Sequence, residues 1–554
     1  MSVRNIAMTE LAVALMLLFP GTLPAGNVDH VRDLQTEAIK SGKADWGHWG
    51  SHTDKYSSWI SHSNRLIPIY TFGLKLDSVS GPNSPYRSVE KLERLFGKVP
   101  TGTVNPEAEY FDQTDVYSLQ KTAVASGKKR IILFVFDGMD WQTTWAAAIH
   151  KSGAVKYRSG RGTGLAFQDY SGADTDFGYF VTTPHNDGTN EDVNVQTVAN
   201  PGGTQAGGFS FRIGGEYPWS DSLDPLYPIG KGRDFSHAYT DSSSSATSLC
   251  AGIKTFNGAI NVDHAGRQVE PIARQLQRDG FAIGVVTSVP ISHATPACAY
   301  ANNVTRNDFQ DLTRDLLGLK SISHPQTALP GVDVLLGGGW GEERLKDSAQ
   351  GENFNPVGNA ENRYLATADL KTIQSNRNHP WATVVREPGK NGADALHAAA
   401  HQAAAKKQRL FGFFGVNKGH LPFQTADGDF QPTVSTGASL AKLSISVAAE
   451  KYSPADIQEN PTLANMTSAA LQVLSSRSDR FWLMVEAGDV DWANHSNNID
   501  DSIGAVLSGE AAFQAVTDWV EANGGWNDTA LLVTADHGHY LVLDKPEALL
   551  PPAE

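Results

Sequence analysis

Apolar residues along this chain fall into short unbroken runs separated by longer segments of mixed polarity. The runs are Arg130–Phe136, Phe281–Thr287, Val332–Gly337, Leu410–Gly415, Phe481–Val485 and Ala530–Thr534. Five to seven residues without alternation is the pattern of a strand buried on both faces. Helical periodicity marks 268–279, 391–406, 460–475 and 505–522, between or after the runs. Strands alternating with helices predict an α/β fold, a three-layer α/β/α sandwich with a large, mostly parallel central sheet. Ahead of the first run, 65–73 reads as a strand in which Pro68 suits an edge or a bulge, and 117–126 as a short helix. Residues from about 158 to 232 are rich in Gly, Asp and Thr with weak periodicity, which predicts a long insertion or cover. With no fixed-period repeat and no clean linker, 27–554 is expected to form one large domain.

Composition narrows the function classes. Over 554 residues the formal charge is −15, which disfavours a nucleic-acid groove and requires local positive charge if the substrate is an anion. Metal ions could provide it. Two cysteines, Cys250 and Cys298, rule out a disulfide framework; one bridge or two buried thiols are the alternatives. Arg4, the apolar run Leu11–Phe19 and a small-residue segment to Ala25 and Gly26 read as a signal peptide over 1–26. The run is too short to span a membrane and no later one is long enough. The protein is therefore expected to be exported, periplasmic or extracellular.

Polar residues collect where the apolar runs stop. Asp137 closes one, Glu486 another and Asp536-His537 a third, while His293-Ala294-Thr295 lies just beyond a fourth. Singly, an Asp-Gly after a strand is more often a turn than a ligand, and a loop histidine is usually only solvated. Recurrence at four strand ends changes the balance, because ligand sites of open α/β sheets lie outside the carboxyl ends of the strands. Asp491 and His495, four apart, would share one face of a helical turn and suit a single zinc ion. Glu486, one loop back, suits a harder ion such as magnesium.

A second signal is Thr240-Asp241 followed by four serines, Ser242 to Ser245. By composition the run is a linker. Tyr239 before it, Ala, Leu and Cys after it, and the closing Gly252 argue instead for a helix beginning at Asp-Ser. Such a start sets a hydroxyl and free N–H groups at the positive end of a helix dipole, where an anion can sit.

The Asp241-Ser242 stretch resembles the nucleophile motif of the alkaline phosphatases. Glu486, Asp491 and His495 are spaced like that family's acid–acid–histidine motif, and Thr534-Ala535-Asp536-His537-Gly538-His539 resembles its second-zinc motif. The segment from His293-Ala294-Thr295 to Asn303-Val304-Thr305-Arg306 resembles its magnesium and phosphate-arginine segment. The resemblance covers about 130 to 540 in blocks. It implies hydrolysis of small phosphate monoesters through a phosphoserine on Ser242, with two zinc ions and one magnesium, and a homodimer is a permitted assembly. Asp241 would orient Arg306. Asp137 would bridge the second zinc and the magnesium, Asp536 and His537 would complete that zinc, and Thr295 and Glu486 would hold magnesium. Asp491 and His495 would bind the first zinc. His293 and Trp492 stand where family members vary, and would support the ligands from behind. Phosphodiesterase or sulfatase chemistry is the competing reading, but sulfatases resemble one another in a Cys or Ser followed by x-Pro-x-Arg, and Ser242 is followed by three serines. A non-catalytic phosphate-binding protein would be expected to have lost some of these groups.

The family's third ligand to the first zinc is a histidine well downstream of the Asp-His motif, and 17 residues after His537 leave no room for it. His62-Ser63-Asn64-Arg65-Leu66-Ile67-Pro68 resembles that missing segment, and Thr114-Asp115-Val116-Tyr117 the start of the family's closing helix. The resemblance implies a circular permutation, with the C-terminal piece moved behind the leader and His62 as the ligand. Termini of compact domains lie close together, so such a rearrangement is physically cheap. His539 and His52 are the alternatives, His539 suiting a supporting role two residues past a ligand.

Overall fold

The computed structural model describes residues 29–186, 188–199, 207–231, 237–354, 356, 358–377, 380–437 and 446–551. The leader reading of 1–26 lies outside them. The ten strands of the central sheet are, in chain order, β1 Ile67–Phe72, β2 Phe111–Asp112, β3 Arg130–Phe136, β4 Thr175–Val181, β5 Ala282–Pro290, β6 Val334–Gly338, β7 Trp381–Val385, β8 Arg409–Phe413, β9 Phe481–Ala487 and β10 Thr529–Thr534. Their spatial order is β7-β8-β6-β5-β9-β3-β10-β1-β4-β2. Each apolar run of the sequence became a strand. The middle ones, β3, β9 and β10, are almost wholly buried, as the lack of alternation requires.

Helices cover both faces. Successive strand residues point to opposite sides. Trp482 Nε1 donates to Gln120 Oε1 in the helix Thr114–Ala125 (2.8 Å). On the other face Leu474 of the helix Leu463–Arg477 fills the space above Gly284, beside Leu483. Among the described residues, no helix is long and apolar enough to cross a membrane.

One strand breaks the parallel arrangement. β1 runs antiparallel to both neighbours, β10 and β4, while the other nine strands share a direction. Pro68 is therefore not at a sheet edge. The pairing of β1 with β10 stops at Ile69–Thr534, one residue short of Pro68, so that neighbour never asks for the N–H that proline lacks. The Pro68 carbonyl instead accepts from Thr534 Oγ1 at 2.9 Å.

The segment read as an insertion over 158–232 is only partly that. It supplies β4, which pairs with β1 along its length. Its Thr-Asp-Phe-Gly-Tyr-Phe-Val sequence starts half-buried and carries a glycine, so neither strict alternation nor a continuous apolar run betrays it. Cys250 and Cys298 are buried free thiols.

Candidate active site

Site residues converge on the carboxyl edge of the sheet, and the strand directions explain how. Asp137 follows β3, Glu486 lies in β9, and Asp536 and His537 follow β10. His62 precedes β1, and because β1 is reversed, its entry lies at the same edge as its neighbours' exits. Ser63 N donates to Gly538 O and Ser63 Oγ to His539 O, both at 2.8 Å, which ties the His62 segment to the turn after β10.

The serine run is a helix, Ser242–Ala251, fully buried and ended by Gly252 in the left-handed conformation (φ 70°). Asp241 is its N-cap. One carboxylate oxygen accepts from Ser244 N (2.9 Å), and the other accepts from Ser243 Oγ (2.7 Å), Gly258 N (3.0 Å) and Arg306 Nη1 (3.0 Å). Burial works against ionising Asp241, but Arg306 and these donors hold its carboxyl below the usual range. Asp241 thereby fixes Arg306 through a single nitrogen of its fork. The helix start thus presents the Ser242 hydroxyl and an oriented guanidinium together.

Ser242 Oγ lies 3.1 Å from His537 Nε2. That same nitrogen is 3.1 Å from Asp137 Oδ1, 3.6 Å from Asp536 Oδ2 and 3.7 Å from Asp491 Oδ1. In a Ser-His-Asp triad the carboxylate holds the opposite ring nitrogen. Here hydroxyl and carboxylates crowd one nitrogen, which is compatible with ligands gathered around a metal ion.

Asp491 is the second focus. Its Oδ1 lies 2.8 Å from His539 Nε2, 3.4 Å from His495 Nε2 and 3.9 Å from His62 Nε2. The His62 ring centroid is 4.1 Å from that of His537 and 4.9 Å from that of His495. His495 Nδ1 pairs with the Ile60 carbonyl at 2.6 Å, which leaves Nε2 turned to the cluster. Among the described residues, three groups have ligand atoms close enough for one ion: Asp137, Asp536 and His537; Asp491, His495 and His539; and His62, Asp491 and His537. His539 is thus as near Asp491 as any expected ligand, while His52 is half exposed beside Asp54 and stays outside the cluster.

Thr295 Oγ1 is 3.5 Å from both Asp137 Oδ2 and Asp536 Oδ2. Glu486 accepts from Thr287 Oγ1 through one oxygen; its other oxygen, Oε1, and Asp137 Oδ1 are buried without a hydrogen bond. Burial and the neighbouring carboxylates push Asp137 and Asp536 well above the usual carboxylate range, and burial lifts Glu486 to about 8. Burial opposes ionisation of Asp491 too, but His495, His539 and His537 hold it well below that range. Burial, with His537 and His495, keeps His62 neutral with a free lone pair. Orphaned carboxylate oxygens packed beside imidazole nitrogens form a donor set that divalent cations fit, since uncompensated buried charge is costly. His293 and Trp492 flank the mouth, their rings 5.8 Å apart. Sequence reasoning did not find His420, which stacks on Phe423 (4.2 Å) and lies 5.3 Å from Trp492. These residues line a cavity of about 460 Å³ that opens beside Arg306 and His62.

Fold and site define an α/β protein in which clustered His and Asp residues that could hold metal ions gather at the carboxyl edge of the sheet. The alkaline phosphatase family model matches residues 224–547, and the chain belongs to that family. It is 28% identical over 363 residues to alkaline phosphatase H of Pseudomonas aeruginosa, covering 63% of this chain and 68% of that one. With Escherichia coli alkaline phosphatase it shares 25% over 375 residues, 63% and 69% of the two chains. Against Bacillus subtilis alkaline phosphatase 4 the identity is 26% over 298 residues, 54% of this chain and 49% of the relative, so the match spans about half of that protein's length. A solved cold-active alkaline phosphatase from Shewanella is similar with a TM-score of 0.41 and 20% identity, covering 74% of this chain and 68% of that one.

Proposed function

We propose that the chain hydrolyses phosphate monoesters through a phosphoserine formed on Ser242. The observation that carries this reading is the placement of Ser242 Oγ at a helix start, 3.1 Å from the ring nitrogen shared by the Asp137, Asp536 and Asp491 carboxylates. In this reading the residues present would hold three ions. Asp137, Asp536 and His537 would hold one, Asp491, His495 and His62 a second with His539 supporting Asp491, and Asp137, Thr295 and Glu486 a magnesium. Bound there, two zinc ions and one magnesium would supply charge stabilisation for a reaction that is among the slowest known unaided.

This chain's own residues do the rest. Arg306, steadied by Asp241 through Nη1, offers its remaining N–H groups to two non-bridging phosphate oxygens, a planar match lysine lacks. Ser242 Oγ attacks phosphorus, the ester oxygen leaves on the opposite side, and water later takes the phosphoryl group from the serine. His293 and Trp492 border the bound phosphate. Because bonds change only at phosphorus, varied leaving groups are tolerated in the cavity beside His420 and Phe423.

The circular permutation belongs to the same proposal: β1, antiparallel between β10 and β4, delivers His62 to the edge from the N-terminal side of the chain. So does export, resting on the leader over 1–26. The test is a panel of chromogenic phosphate monoester, phosphodiester and sulfate with and without a chelator. Chelator-sensitive turnover of the monoester far above the other two is expected; preference for the diester or the sulfate would replace this reading with the corresponding hydrolase.

A further inference from the structure

A second cavity, of about 440 Å³, adjoins the first and shares His293, Arg306, Lys418 and Trp492 with it. Its wall carries Arg306, Arg344, Arg363 and Lys418 against one carboxylate, Glu342. Four cations on one wall stand out in a chain of formal charge −15.

Each cation is tethered much as Arg306 is. Arg363 gives Nε to Asp347 Oδ2 (2.7 Å), Arg344 gives Nη2 to Glu342 Oε2 (2.5 Å), and Lys418 gives Nζ to Glu450 Oε2 (3.1 Å). Of these partners only Glu342 belongs to the wall. A guanidinium held through one nitrogen keeps several N–H donors in fixed directions, the preorganisation that suits a phosphoryl group. Arg363 is further fixed over the Phe309 ring (4.8 Å), which stacks in turn near His293 at 6.5 Å. Lys418 occupies a left-handed backbone position, φ 84°, which costs a lysine more than a glycine. The cavity is thus continuous with Arg306, and two of its donors, Arg344 and Arg363, lie outside the first cavity.

We propose that this cavity is a second phosphoryl subsite, so that the preferred substrates are phosphomonoesters bearing another phosphoryl group. The proposal rests on the phosphatase reading for the identity of the first subsite. An anion bound here would meet the N–H groups that the carboxylate tethers leave free, and Arg344, half exposed, and Arg363 would each contribute a charge-assisted bond.

Binding, read by calorimetry in the metal-loaded Ser242→Ala full chain, compares a hexose bisphosphate with the matching hexose monophosphate. The bisphosphate is expected to bind at least about tenfold more tightly, the scale of one charge-assisted arginine contact. Arg344→Ala and, separately, Arg363→Gln should each erase most of that preference while changing monophosphate affinity less than about twofold, and Arg363→Lys should restore part of it. Equal affinity for the two ligands, or equal losses for both in the variants, overturns the subsite. Turnover of p-nitrophenyl phosphate by the unsubstituted protein is the separate check on the first reading, and the binding comparison decides the subsite whatever that check returns.

Discussion

Replacing His62 by alanine tests the least expected feature of this site. His62 Nε2 is 3.9 Å from Asp491 Oδ1, within the range of groups that could share an ion. In the proposed set it is one of three protein donors, with Asp491 and His495. Loss of a merely supporting group costs 10–100-fold in metal affinity. Loss of a direct donor should exceed that, reaching about 100-fold or more, or about 2.8 kcal/mol at about 1.4 kcal/mol per tenfold. The variant should fold, because the structural contact of this residue is its carbonyl, which accepts from Trp59 Nε1 at 3.0 Å and survives the substitution. The assay is competition for zinc against a chromophoric chelator, with metal content after dialysis. One tight zinc should be lost while the other stays. His539→Ala, which removes the 2.8 Å partner of Asp491, should weaken zinc by the smaller 10–100-fold, and His52→Ala should do nothing. A His62→Ala protein with full zinc stoichiometry and affinity would refute the assignment and the permutation argument with it.

Ser242→Ala should abolish monoesterase activity by several orders of magnitude while metal content stays constant; an unchanged turnover would exclude Ser242 as nucleophile. Arg306→Ala should weaken inhibition by inorganic phosphate by roughly 10- to 150-fold, the equivalent of about 1.5–3 kcal/mol for a charge-assisted contact, and an unaltered inhibition constant would speak against its role. Away from the site, burial and then the charge of Asp112 raise Asp115 from 3.8 to about 7. The folded state therefore holds a proton that the unfolded chain releases, so this group's stabilising contribution is full below about pH 4 and fades as pH rises through about 7. Urea midpoints across that window should fall less steeply in Asp115→Asn than in the parent, and parallel profiles would contradict the assignment.

What the chain determined locally was the set of buried strands and the chemistry at their ends. Ile131–Phe136, Phe481–Val485 and Ala530–Val533 are apolar throughout, and a strand with no polar face has to be covered on both sides. An acid directly after such a strand then lies at its carboxyl end, so Asp137, Glu486 and Asp536 could be placed before any coordinates. Asp241 before a serine run ended by glycine marked a capped helix in the same way, because the cap and the left-handed stop are local requirements. Neighbour order and strand direction are set by packing between distant segments, and periodicity does not report them. That β1 is internal, with Pro68 just beyond its pairing to β10, was invisible in a sequence that suggested an edge or a bulge. Nor did composition reveal that 158–232 contributes β4, or that the short β7 closes the far side of the sheet. Arg344, Arg363 and Lys418 are separated by up to 74 residues and carry no shared motif, yet they line one cavity with Arg306. Tertiary structure decided these features because each depends on which surfaces meet, whereas burial and capping depend on what each short segment must satisfy for itself.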